Sequence, residues 1–112
     1  MFIEAQTKEI VSANILEVTA GTNSYQGGNY SHGGRTLFRL KDLACTYWSI
    51  KVDGVSTNHP SEIEIVLGGD CEAETFLEAL EFTSRVLREK LRSTDVGHGK
   101  IGYSTINADI HE

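Results

Sequence analysis

The sequence predicts an α+β domain: an antiparallel β-sheet of about four or five strands with one long amphipathic helix packed on one face. Three observations predict it. Within residues 10–67, apolar and polar residues alternate in short runs broken by turn-forming residues. Residues 70–92 instead repeat their apolar residues at helical spacing. The strands come first and the helix last, the order of an α+β chain rather than of alternating β and α units. The 112 residues are read as a single domain. Its parts are a sheet over 10–67, a loop over 21–36, a helix over 70–92, and a C-terminal arm or strand over 93–112.

At the N-terminus, Phe2 and Ile3 are candidates for the start of an edge strand. Residues 10–20 are rich in β-branched side chains, and Leu16 and Val18 alternate with Glu17 and Thr19, which predicts a half-buried strand. Gly21 ends it. Residues 35–40 read as the next strand, with Thr36, Phe38 and Leu40 on one face and Leu37 and Arg39 on the other. Asp42, Leu43 and Ala44 read as a short turn. Residues 45–53 alternate again, with Trp48, Ile50 and Val52 sharing a face, and Gly54 opens a connection through Ser56, Asn58 and His59-Pro60. Residues 62–67 complete an antiparallel meander, with Ile63, Ile65 and Leu67 inward and Glu62 and Glu64 outward.

Gly68-Gly69 ends the sheet. Asp70 reads as an N-cap, Glu72 and Glu74 suit the positive end of the helix dipole, and Arg85, Arg88, Lys90 and Arg92 suit the negative end. Ala73, Phe76, Leu77, Leu80, Leu87 and Leu91 form the face expected to cover the sheet. A second stripe, Ala79, Phe82 and Val86, lies on the other side. It is expected to be either covered by the C-terminal segment or used as a subunit interface, and we read it as the interface of a homo-oligomer.

The loop is the part of the chain that does not read as scaffold. Long irregular loops in small domains are usually functional or disordered. This one carries Gly27-Gly28 and Gly33-Gly34, which let backbone N–H groups approach a ligand and form a concave anion site. Arg35 at its exit offers a planar cationic fork to phosphate, with Thr36 beside it. Tyr25 and Tyr30 offer rings for stacking a base, and His32 can donate or accept near neutral pH. The competing reading is a hairpin tip whose tyrosines dock on the domain's own surface. The loop is neither a Walker sequence nor a dinucleotide fingerprint, since Gly-x4-Gly-Lys is absent and a strand follows. Asp70, Glu72 and Glu74 would repel a phosphate at the Gly68-Gly69 turn, so that turn reads as a corner.

Composition narrows the function classes. A hydrophobic fraction of 39% with 23% charged residues describes a folded, soluble chain. A net charge of −6 argues against duplex nucleic acid as a partner. No stretch approaches the roughly 20 apolar residues of a membrane span. No secretory leader is evident, so the expected location is the cytoplasm. Cys45 and Cys71 read as buried, reduced thiols rather than metal ligands or a disulfide. His32, His59, His98 and His111 fall in no metal motif, although a site from His32, His98 and Asp70 stays open. No cofactor is implied.

The pattern Gly27-Gly28-x3-His32-Gly33-Gly34-Arg35-Thr36, then Asp42-Leu43, then Glu62-Ile-Glu-Ile-x-Leu-Gly-Gly-Asp70 before an amphipathic helix resembles a group of small phage and prophage proteins. The resemblance spans about residues 14–91 and carries no site residue with it. It implies an anti-defence protein of the kind that oligomerises and sequesters nucleotide immune signals, including the cyclic ADP-ribose signals of Thoeris. The resulting expectation is non-catalytic binding of a small anionic, nucleotide-like ligand in the host cytoplasm. Two alternatives stand beside it: a protein–protein inhibitor or structural oligomer, and a small nucleotide hydrolase using His32 and a carboxylate.

Overall fold

The computed structural model describes residues 3–92. The chain falls into two compact units, the first ending at Phe76 and the second beginning at Leu77. Among the described residues, strands β1 (Glu4–Val11), β2 (Ile15–Thr22), β3 (Arg35–Ala44), β4 (Ser49–Val52), β5 (Val55–Asn58) and β6 (Glu62–Gly68) precede helix α1 (Asp70–Arg92). The α+β class and the helix span agree with the sequence reading. The main sheet is antiparallel throughout, in the order β1-β2-β3-β6, and β4 and β5 form a small sheet of their own.

Three elements differ from expectation. The strand foreseen over residues 10–20 is a hairpin, β1 and β2, turning at Ser12, Ala13 and Asn14 with Ser12 N–H donating to Asn14 O at 2.8 Å. Every residue of β1 is exposed, so its sequence shows no one-sided alternation. Asp42, Leu43 and Ala44 do not turn but extend β3, with Asp42 opposite Leu16 and Ala44 opposite Ile15 around an irregularity between Ile15 and Leu16. The strand foreseen over 45–53 is instead the first arm of the β4–β5 hairpin. Its turn is Asp53-Gly54, at φ 51° and 81°, the two positive values that a type I′ turn requires. Trp48 closes the base of this hairpin: its Nε1–H donates to Pro60 O at 2.6 Å, and His59 N–H donates to Trp48 O at 2.9 Å.

Register places Val18, Leu40 and Ile63 in one row and Ala20, Phe38 and Ile65 in the next, all on one face. The other face pairs Thr19, Arg39 and Glu64, and there Arg39 bridges Glu62 at 3.1 Å and Glu64 at 2.9 Å. Phe76 of α1 meets the apolar face edge-on to Phe38, with ring centroids 5.6 Å apart. From Leu77 onward the helix leucines expected to cover the sheet, Leu77, Leu80, Leu87 and Leu91, are exposed. No apolar side chain is fully buried among the described residues. The side chain that is buried is polar: Thr19, whose hydroxyl pairs with that of Thr7 at 3.0 Å. Both cysteines are free, but exposed rather than buried. Cys45 follows the end of β3 at φ 60°, and Cys71 lies in the first turn of α1. The expected C-terminal arm or strand, residues 93–112, lies outside the described residues, as does His98 of the alternative metal set.

Candidate functional site

β2 and β3 are neighbours, so the loop between them, residues 23–34, must leave and re-enter at one point. Asn23 clamps that neck. Its N–H donates to Arg35 O at 3.1 Å, and its Oδ1 accepts from Arg35 N–H at 2.7 Å. Thr36, half-buried, pairs its hydroxyl with that of Thr22 at 3.1 Å. Because β6 pairs with β3, the Gly68-Gly69 corner and the first turn of α1 arrive beside this loop. The two are joined by hydrogen bonds running both ways.

The loop supplies partners to the helix. Ser31 N–H donates to Gly68 O at 2.9 Å, Gly69 N–H to Gly34 O at 2.8 Å, and Asp70 N–H to Gly28 O at 2.8 Å. Asn29 Oδ1 accepts from Cys71 N–H at 2.9 Å, so it caps the helix from the loop. The helix returns carboxylates. Asp70 Oδ1 accepts from Gly34 N–H at 2.8 Å and Gln26 N–H at 3.1 Å. Its Oδ2 accepts from Gly27 N–H at 2.7 Å and Gly28 N–H at 3.3 Å. Glu72 Oε2 accepts from Tyr30 N–H at 2.9 Å, and Glu74 Oε2 accepts from the Tyr25 hydroxyl at 2.7 Å.

The amide cradle foreseen for a ligand phosphate therefore exists, and its anion is the chain's own Asp70. This corrects two expectations. Asp70 does not cap its own helix; its side chain turns back into the loop, because the glycine amides there form a denser donor cluster than the helix end. The N–H groups of Gly27, Gly28 and Gly34 are likewise engaged internally. The bond from Gly34, then that from Gln26, with Gly27 and Gly28 behind them, holds the Asp70 carboxyl below its ordinary range against the opposing effect of burial. The Tyr25 phenol is raised, chiefly by its bond to Glu74.

Arg35 also turns inward. Its guanidinium donates to Ser31 O at 2.8 Å, Gly34 O at 3.2 Å and Gly33 O at 3.3 Å, so the fork foreseen for phosphate binds loop carbonyls instead. Two glycines are required by close approach. At Gly33, φ 95°, a Cβ would collide with the Gly28 carbonyl oxygen and stand 2.8 Å from Asp70 Oδ1. At Gly69, φ 136°, it would collide with Glu72 Oε1, a buried oxygen without a hydrogen-bond partner among the described residues.

What this framework leaves outward are rings. Tyr30 is 84% exposed and Tyr25 64% exposed, and His32 is exposed beside them. Ser24, Tyr30 and Ser31 sit at φ 72°, 48° and 76°, a region that non-glycine residues seldom occupy. Such conformations persist when surrounding bonds over-determine them, and they cluster at ligand clamps and switches.

The sequence reading brought Tyr25, Tyr30, His32, Arg35 and the glycines into one loop, as the structure does. It missed Asn23, Gln26 and Asn29, and it saw Asp70, Glu72 and Glu74 only as a repulsive field. The available signal was complementarity: a loop rich in unpaired N–H donors and a turn with three carboxylates. Among the described residues no cluster of His, Cys, Asp and Glu could hold a metal ion, and no helix is long and apolar enough to cross a membrane. Comparison of the chain with protein-family models, with curated proteins and with solved structures gives no match.

Proposed function

We propose that the chain is a non-catalytic binding protein that sequesters a small anionic, nucleotide-like molecule on the outer face of the 23–34 loop, and that it acts as a homo-oligomer. One observation carries the reading: the loop backbone is pinned by the helix carboxylates while the rings of Tyr25 and Tyr30 stand in solvent. Rings held on a fixed backbone lose little freedom when a base stacks on them, and stacking suits any base. With the glycine amides engaged by Asp70, the ligand's ring is the recognised part, and its phosphates face outward near His32. The resemblance of the glycine pattern to that of small phage proteins is what directs the reading to a nucleotide immune signal in the host cytoplasm. Oligomerisation in this reading uses the helix, including the Ala79, Phe82 and Val86 stripe. There Phe82 already carries the Arg85 guanidinium over its ring at 5.7 Å.

A second reading is favoured by the openness of the two rings: the loop docks on a protein and inhibits it. Purified protein incubated with a mixed nucleotide pool, washed and then denatured separates the cases. An intact released nucleotide supports sequestration, and an altered one supports the hydrolase alternative. Release of nothing overturns the nucleotide reading in favour of a protein partner.

A further inference from the structure

The second compact unit carries a feature that the loop does not explain. Leu77, Leu80, Ser84, Leu87 and Leu91 follow one another at spacings of three, four, three and four residues. At about 100° per residue they fall within an arc of roughly 80°. This is the three-four spacing of a coiled-coil seam, with leucine at all positions but a small polar one at the centre. All five residues are exposed, Leu77 by 54% and Leu91 by 74%. A leucine stripe of this width is an uncommon thing to leave in water.

Charge identifies the occupant. Residues 70–81 of α1 contain Asp70, Glu72, Glu74, Glu78 and Glu81 and no Lys or Arg. Residues 82–92 contain Arg85, Arg88, Lys90 and Arg92 against the single Glu89. A helix acidic in one half and basic in the other complements itself when a copy runs the opposite way. Parallel copies would set acid beside acid and align the two helix dipoles unfavourably. We propose that residues 77–91 form an antiparallel, two-fold symmetric helix pair with a second copy of this chain. Such a contact is isologous: Glu81 of one copy lies beside Arg88 of the other, and the reverse. Ser84, near the centre of the seam, is its one polar position, and its hydroxyl accepts from Arg88 Nε of the same helix at 3.3 Å.

The test uses the full chain without ligand, so its outcome is separate from that of the nucleotide reading. Sedimentation velocity across a dilution series should show a monomer–dimer equilibrium for the wild type. Leu87→Glu should raise the dissociation constant by at least about 30-fold, the scale of losing a central anchor. Trp48 fluorescence reports whether the first unit stays folded in each variant. Glu81→Arg and Arg88→Glu should each weaken the dimer, and the double variant should restore it to within a few-fold of wild type. A parallel pair would not show that rescue, because Glu81 and Arg88 would not meet. A wild type that is monomeric at every dilution overturns the proposal and assigns the seam to the chain's own residues 93–112 or to another protein. An unaltered dimer in Leu87→Glu, or a double variant as weak as the singles, also overturns it.

Discussion

Asp70 and Gly28 hold each other in both directions. The Asp70 N–H donates to the Gly28 carbonyl at 2.8 Å, and the Gly28 N–H donates to the Asp70 carboxylate at 3.3 Å, across 42 residues of chain. Gln26, Gly27 and Gly34 converge on the same carboxylate. The loop's shape is therefore a property of the helix end as much as of the loop.

Asp70→Asn should lower the melting temperature. An asparagine has one acceptor oxygen where the carboxylate has two, so its amide must face N–H donors of the loop whichever way it is turned. Asp70→Ala should do at least as much damage, because all the converging amides then lose their partner. Thermal melts followed by circular dichroism check this. Wild-type melting of Asp70→Asn would mean that the amides are as well served by water.

Acid should unfasten the loop, and the sign follows from the lowered pKa. A carboxyl held below its ordinary value of 3.8 contributes stability that is present above that value and is lost as pH falls through the lower, folded value. Urea midpoints measured below pH 4 should therefore fall more steeply for wild type than for Asp70→Asn, and the two curves should converge at the acid end. Parallel curves would remove Asp70 as the acid-sensitive group.

Arg35→Ala should destabilise the ligand-free protein by ~1–3 kcal/mol, since three loop carbonyls lose a charged donor. Arg35→Lys should recover only part, because an ammonium cannot span the carbonyls as a planar fork does. Urea unfolding gives both values. An unchanged stability together with lost nucleotide binding would return Arg35 to the role of a phosphate contact.

Gly33→Ala should cost ~1–3 kcal/mol, through strain at φ 95° and a methyl group driven against the Gly28 carbonyl oxygen and Asp70 Oδ1. Part of its effect should be relieved in the Asp70→Ala background, where one of the two crowding oxygens is gone. A double-mutant cycle measures that coupling, and full additivity would place the cost in the backbone alone.

Tyr30→Gly should separate stability from binding. Tyr30 lies at φ 48°, where glycine carries no Cβ penalty, so the fold should hold or gain up to ~1 kcal/mol. The ring that would stack a base is lost. Calorimetric titration with nucleotides should then show binding in wild type and little in the variant, and equal heats would move the ligand away from this loop.

The legible parts of this chain were those with one strong local signal. Helix α1 was readable from its apolar spacing, and β6 from the alternation of Glu62, Ile63, Glu64 and Ile65. β1 was not, since a strand exposed along its whole length has no buried face to pattern its residues. The β4–β5 hairpin was readable in principle, because Asp53-Gly54 between strand-like runs is a strong turn signal. The alternation of Trp48, Ile50 and Val52, which imitates a longer strand, masks it. The loop was recognised from its glycines, but the internal carboxylate that holds its amides was not. Sequence displays donors and acceptors as a line, and the partner that fills this cradle stands more than 40 positions away in it.

The clasp between loop and helix also sets an order of events. Every carboxylate that fastens residues 25–34 lies at or beyond position 70. On an emerging chain, the hairpin of β1 and β2 can pair as soon as it is made, whereas the loop must wait for β6 to join β3 and carry Asp70 into place. Loop closure over that distance is the slow, entropically costly kind. The loop surface is thus the last part of the first unit to be fastened, and a chain halted before position 70 has a sheet edge but no carboxylate to fix the loop.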